Sequence, residues 1–413
     1  MGAEEAIELA GGRARPEDVE RVLGVQGARA LSDALQVIFW VIAREYQYPS
    51  MCEVTFAVTR STSFDCRTRQ LGPDHAVILI PLGILARARS LTRRLLWHLE
   101  HEAGIVRVVG SALNGDVAHW EIAPGLKPVL GEGAGGEADY WQSLAEFDRR
   151  TEPDEEREIV AADVMGQCCI LLALHELVHV SAGHDAVVKA ARAYNNGEPP
   201  HLDLTRVKRG LEIHADVVAA GMHVAVLFEH PRHAKLARRR PDVTFGRTSF
   251  AAALLFAMYD VHRKCIQWYD GTLYPHPVIR YEFWHEAMVA SMRRRRRRRA
   301  RRYSLDGWKD CVVAFNALEW AVFRSEYGEG ARGNTGFLVP VTPLKYGSAF
   351  ILRRWLAEDD VLLRDTVAFG GALFGTESRH WQTRELMHGP ESRSLMERTF
   401  WFHQAYQGSL FVN

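Results

Sequence analysis

Apolar residues recur at helical spacing over most of the chain, and strand-like runs are confined to residues 50–125. Residues 28–46 carry Leu31, Leu35, Val37, Ile38, Val41 and Ile42 toward one side, which predicts a long helix. Pro16-Glu17-Asp18 opens a shorter helix before it. Residues 52–59 alternate with β-branched positions, and residues 74–82 (DHAVILIPL) form an apolar run of strand length ending at Pro81. A helix is predicted over 84–102, short strands over 106–109 and 118–122, and a Gly/Pro-rich loop over 124–138. Two long helices follow, at 153–183 and 204–228, divided by the Asn/Gly/Pro break at 195–200. Asp203 stands where the second would take its N-cap. Residues 230–245 read as a basic, proline-containing loop and 250–268 as a buried helix. Residues 303–413 read as mostly helical, with a loop at 328–343. The pattern predicts an α+β fold that is predominantly helical, with a small mixed sheet.

The helix at 153–183 departs from the usual amphipathic pattern. Ile170, Leu171, Leu172, Leu174, Leu177, Val178 and Val180 leave it no solvent face, so it belongs inside. Set into it are His175, Glu176 and His179. Histidines four apart lie about 40° apart around a helix, so both imidazoles reach one ion. Burying them beside a carboxylate without partners would cost several kcal/mol, and a metal removes that cost. Zinc (Zn2+) suits nitrogen and carboxylate donors. In a catalytic site it takes three protein ligands and keeps a position for water, which Glu176 is placed to deprotonate.

Glu212 is the expected third ligand. It shares a helical face with Asp216, so one carboxylate can bind the metal while the other accepts the spare ring N–H of a ligating histidine. His184 lies about 140° from His179 on an unbroken helix, which places it behind the ligands rather than among them. Gly183 offers a point for the helix to end or bend. His214 points elsewhere on its helix, either behind the ligands or at the surface.

His-Glu-x-x-His followed by Glu-x-x-Ala-Asp at 212–216 resembles the gluzincin zinc metallopeptidases. The form is most similar to the CAAX-prenyl-protease and HtpX-type branch, and to soluble bacterial Lit-type phage-exclusion peptidases. Over roughly residues 50–285 the resemblance implies a zincin-like core with an active-site helix pair. In that family an apolar strand upstream of the metal helix lines the cleft, where a peptide adds as a further strand. Residues 76–84 match that element, although an interior strand reads equally well. The resemblance also implies that His276-Pro277, followed by Arg280, lies beside the zinc and that His276 or Arg280 stabilises the oxyanion. The competing reading is a helix opened by Pro277, with His276 as its surface cap.

Composition narrows the classes. The 413 residues are 47% hydrophobic and 25% charged with a formal net charge of zero, so no global field draws nucleic acid or membrane. The N-terminus lacks the basic start and apolar core of a secretory signal. No uninterrupted apolar run reaches the roughly 18–20 residues of a membrane span. This departs from the membrane-embedded branch and favours a soluble, cytoplasmic relative. Six cysteines without a Cys-x-x-Cys read as reduced and structural. Arg293–Arg299, with Arg301 and Arg302, reads as a solvated linker or as a contact for an acidic partner or nucleic acid. The expected organisation is an N-terminal helical segment (1–48), a zinc metallopeptidase core (49–292), a polyarginine linker (293–302) and a C-terminal helical region (303–413). The expected activity is hydrolysis of peptide bonds in a protein or peptide substrate, in a regulatory or defence role. The alternatives are a catalytically inactive zinc-binding interaction protein and a nucleic-acid-binding protein using the arginines. Nothing in the sequence sets the oligomeric state.

Overall fold

The computed structural model describes residues 2–45, 53–63, 66–72, 74–97, 155–196, 202–239, 241–262, 275, 277–295 and 349–374. These fall into two compact units. The chain passes from the first to the second inside one helix, at Glu176–Leu177, and returns inside another, at Val224–Ala225.

The first unit holds α1 (Ala3–Leu9), α2 (Pro16–Glu45), a three-stranded sheet, α3 (Leu82–Trp97) and most of α4 (Glu155–Ser181). It ends with the last turn of α6 (Leu204–Glu229), α7 (Pro231–Arg239) and α8 (Pro241–His262). The short and long helices expected near the N-terminus join into one element across Gly24, whose φ of +66° makes the kink.

The sheet is mixed, with strand order β1 (Glu53–Thr59), β3 (His75–Pro81), β2 (Arg67–Gly72). β1 runs parallel to β3 and β2 runs antiparallel to it, with Thr68 opposite Ile78. β3 is therefore the central strand, and the suggestion that 76–84 forms a cleft edge is corrected. Covered on both faces, β3 reads as an unbroken apolar run, Ala76–Ile80, rather than an alternating one. α1 lays Ala6 and Ile7 on Ala57, Val77 and Leu79 of one face. Among the described residues β1 and β2 are the outer strands, and β2 is the one the hydrophobic pattern does not reveal.

The loop expected at 230–245 is instead the helix α7 and the first turn of α8. Pro231 and Pro241 stand at the first helical positions, where a missing N–H costs nothing and the fixed φ suits the helix. In α4, Cys168 and Cys169 are fully buried, and the Cys168 thiol donates to the Ala251 carbonyl at 3.4 Å. Burial pushes the Cys169 thiol up to about 12 and raises Cys168 as well, so both stay protonated.

The second unit holds the end of α4, α5 (His184–Asn195), α6 up to Val224, α9 (Pro277–Arg295) and α10 (Ala349–Phe374). Asp203 caps α6 as expected, its Oδ1 accepting from the Thr205 and Arg206 amides at 2.9 and 3.3 Å. Asn195 ties the connection before α6, donating to the Leu202 carbonyl and accepting from the Leu202 amide, each at 2.7 Å. α10 packs against α5 and α9. It also seats Leu362 and Thr366 against Gly210 of α6. Beside that notch Arg209 donates to the buried Asp359 at 2.9 Å, yet burial still pushes the Asp359 carboxyl up to about 7.

α4 and α6 are each long and apolar enough to cross a membrane, although 78% of each apolar window is buried inside the protein. Counting only uninterrupted apolar runs misses them. The strands expected at 106–109 and 118–122, the loop at 124–138, residue His276, arginines 296–302, and residues 303–348 and 375–413 lie outside the described residues.

Candidate metal centre

α4 delivers His175, Glu176 and His179 on one continuous helix, and α6 delivers Glu212. One ligand atom from each of His175, His179 and Glu212 lies within 4.8 Å of the other two. Two ligands at about 2.0–2.1 Å from a tetrahedral zinc stand roughly 3.4 Å apart. The His179 Nε2 to Glu212 Oε1 separation is 3.7 Å, close to that spacing. The donors, two imidazoles and one carboxylate, suit a borderline divalent cation. Among the described residues no other group of three such side chains converges this way.

Each side of the set is held from behind. Arg280 of α9, itself buried, donates from Nε and Nη2 to the two oxygens of Asp216 at 2.7 and 2.8 Å. The same Nη2 lies 3.7 Å from Glu212 Oε2. Glu212 and Asp216, one turn apart on α6, are thus bridged by a single guanidinium. The Arg280 charge expected at an oxyanion is committed here to two carboxylates, and α9 starts at Pro277 as the helix-start reading required.

His184 takes a position the spacing did not foresee. α4 ends at Ser181, and Gly183 adopts the left-handed conformation (φ +67°, ψ +37°) before α5 begins at His184. The turn swings the His184 ring back over the metal helix, where its Nδ1 lies 2.8 Å from His179 Nδ1. Its Nε2 lies 2.9 Å from Nδ1 of His214, which is fully buried. His184 thus contacts His179 on the side away from Glu212, and His214 joins it rather than facing solvent.

Thr68 is the site residue that sequence reasoning missed. From the edge strand β2 its hydroxyl lies 2.6 Å from Glu176 Oε2 and 3.3 Å from the Glu176 carbonyl. It thereby fixes one oxygen of the carboxylate next to the candidate metal ligands. β2 is short and polar, and its only pointer in sequence is the β-branched Thr68 between two arginines.

No family model, curated protein or solved structure matches the chain.

Proposed function

We propose that the chain is a zinc-dependent peptidase of the gluzincin kind, acting on peptide bonds of a protein substrate in the cytoplasm. One observation carries this reading: His175, His179 and Glu212 bring ligand atoms within 4.8 Å of one another, with Glu176 adjacent and its carboxylate held by Thr68. His175, His179 and Glu212 would hold the ion, which when bound supplies Lewis-acid activation of water and of the scissile carbonyl. Glu176 takes a proton from the attacking water and delivers it to the leaving amine. Thr68 keeps one oxygen of that carboxylate fixed, so the other faces the reacting water without a rotameric search. Arg280 holds the Glu212–Asp216 face of α6 in place. β2, antiparallel at the sheet edge and touching Glu176 through Thr68, is the natural strand for an extended substrate to pair with.

The test is metal analysis and proteome-wide cleavage profiling of three proteins: wild type, Glu176→Gln and His179→Ala. The expected result is one zinc per chain in wild type and Glu176→Gln, little in His179→Ala, and cleavage products with wild type alone. A folded Glu176→Gln protein that still cleaves, or a wild type that binds no zinc, overturns the reading.

A further inference from the structure

We propose that His184 and His214 form a two-imidazole relay that sets the tautomer and ring orientation of His179, making them positioning residues for the metal. The inference rests on the metal reading above and extends it to residues that no ligand role requires.

The geometry assigns a direction. His179 has two ring nitrogens, and each has a distinct neighbour: Nε2 faces Glu212 Oε1 at 3.7 Å, and Nδ1 faces His184 Nδ1 at 2.8 Å. A nitrogen that binds a metal must offer a lone pair, so a ligating Nε2 leaves the proton on Nδ1. That N–H then donates to His184 Nδ1. A neutral His184 accepting at Nδ1 carries its proton on Nε2, which is the atom 2.9 Å from His214 Nδ1. His214 accepts there and in turn carries its proton on Nε2. Every ring stays neutral, each contact has one donor and one acceptor, and the direction is fixed from the metal outward.

The opposite direction fails at its first step. If His184 Nδ1 carried the proton, His179 would have to accept at Nδ1 and keep its own proton on Nε2, which could not bind an ion. Burial makes this choice consequential, because His184 and His214 are 3% and 0% exposed. In that setting a mismatched donor or acceptor has no bulk water to turn to. The rings are not stacked, their planes crossing at 87° between His179 and His184 and at 55° between His184 and His214, and the contacts are between ring nitrogens. Metal-binding histidines commonly donate their second N–H to a carboxylate or carbonyl. Here an imidazole takes that place, and it needs a second imidazole behind it to define its own proton.

The experiment uses the full-length chain and zinc alone. Zinc affinity is measured by chelator competition for wild type, His184→Phe, His184→Asn and His214→Phe. Losing a partner behind a ligand typically weakens metal binding about 10–100-fold, and His184→Phe should fall in that range. Asn places its amide oxygen near the former Nδ1 position, so His184→Asn should recover much of that loss. His214→Phe should show a smaller loss than His184→Phe. Independently of any variant, nitrogen-15 imidazole spectra of the zinc-loaded wild type should show His184 and His214 neutral, both protonated on Nε2.

A His184 protonated on Nδ1, or equal zinc affinity in wild type and His184→Phe, overturns the relay while leaving the metal site standing. A wild type that binds no zinc overturns both.

Discussion

Replacing Arg280 with Met separates two roles that the sequence left open for it, brace and oxyanion donor. In the structure its guanidinium makes two short bonds to Asp216, 2.7 and 2.8 Å, and Asp216 is 3% exposed. Removing one partner of a buried ion pair costs about 3–5 kcal/mol, because the other charge stays in a poorly solvated place without its strongest bonds. That is a large fraction of the roughly 5–15 kcal/mol by which domains are stable. Arg280→Met should therefore lower unfolding stability by about 3–5 kcal/mol in urea titrations. The double variant Arg280→Met/Asp216→Leu should recover most of the loss, since an apolar pair of similar volume carries no desolvation cost. Zinc affinity should fall too where the loss of positioning of the Glu212–Asp216 face outweighs the relief of repulsion between the guanidinium 3.7 Å from Glu212 and the cation. A stability loss under about 1 kcal/mol, the range of an exposed pair, combined with a large fall in kcat, would refute the brace and restore the oxyanion role.

Three further outcomes are expected. Thr68→Val removes the hydroxyl that holds Glu176 while keeping the side-chain shape, and kcat should drop severalfold with zinc content unchanged; an unaltered kcat would show the contact to be idle. Desolvation first, then the neighbouring His230, hold His233 down at about 4, Arg232 adding to the fall while Asp163 and Asp33 oppose it. The fold favours the neutral ring, so stability present above about 6.5 is lost as pH falls toward 4, by roughly 2 kcal/mol at pH 5, and His233→Gln should flatten that slope in urea titrations. A Cβ at Gly210 would run into the Thr366 hydroxyl and stand 3.1 Å from Thr366 Cβ. Overpacking of about 1–3 kcal/mol then outweighs the roughly 1 kcal/mol helix-propensity gain, so Gly210→Ala should lower the melting temperature and Gly210→Ala/Thr366→Ala should restore it.

The His175–His179 pair is legible because α4 is regular and i, i+4 arithmetic survives any tertiary arrangement, whereas the convergence of Glu212 on that pair is a tertiary contact that the motif resemblance suggests and local spacing does not. Glu212 and Asp216 sharing a face, the Asp203 cap and the apolar strand at 74–82 follow from the same local rules. The offset of about 140° between His179 and His184 assumes an unbroken helix, and the left-handed turn at Gly183 voids that arithmetic. Glycine marks where such a turn is allowed, but its φ is decided by what the next helix packs on. β2 escaped because an edge strand with charged residues at alternate positions carries no apolar period. The helix at 231–239 and the first turn of the helix at 241–262 are not evident in the sequence because proline signals both a break and a helix start, and only the flanking conformation tells which. Thr68 and Arg280 act across long sequence separations, so no local spacing rule reaches them.

What separates a catalytic zinc from a structural one is the fourth position. Structural sites are closed by four protein ligands, usually with thiolates among them. Among the described residues the convergent set has three members, and the two cysteines on the same helix are protonated, one bonded to the Ala251 carbonyl. Glu176, adjacent to His175, is tied to the edge strand rather than folded into the ligand set. α4 and α6 are each apolar and well buried in their own right: Leu171, Leu174 and Val178 on the first and Ile213 and Val217 on the second are all buried. Folding should therefore not depend on the ion, whereas small structural zinc domains unfold without theirs. Chelation should abolish turnover while leaving the far-ultraviolet circular dichroism and a cooperative melt in place. Zinc should then raise the melting temperature in a concentration-dependent way, as expected for a ligand that binds only the folded state. Collapse of the dichroism on chelation would identify the ion as a structural support and remove the case for an open, water-bearing position.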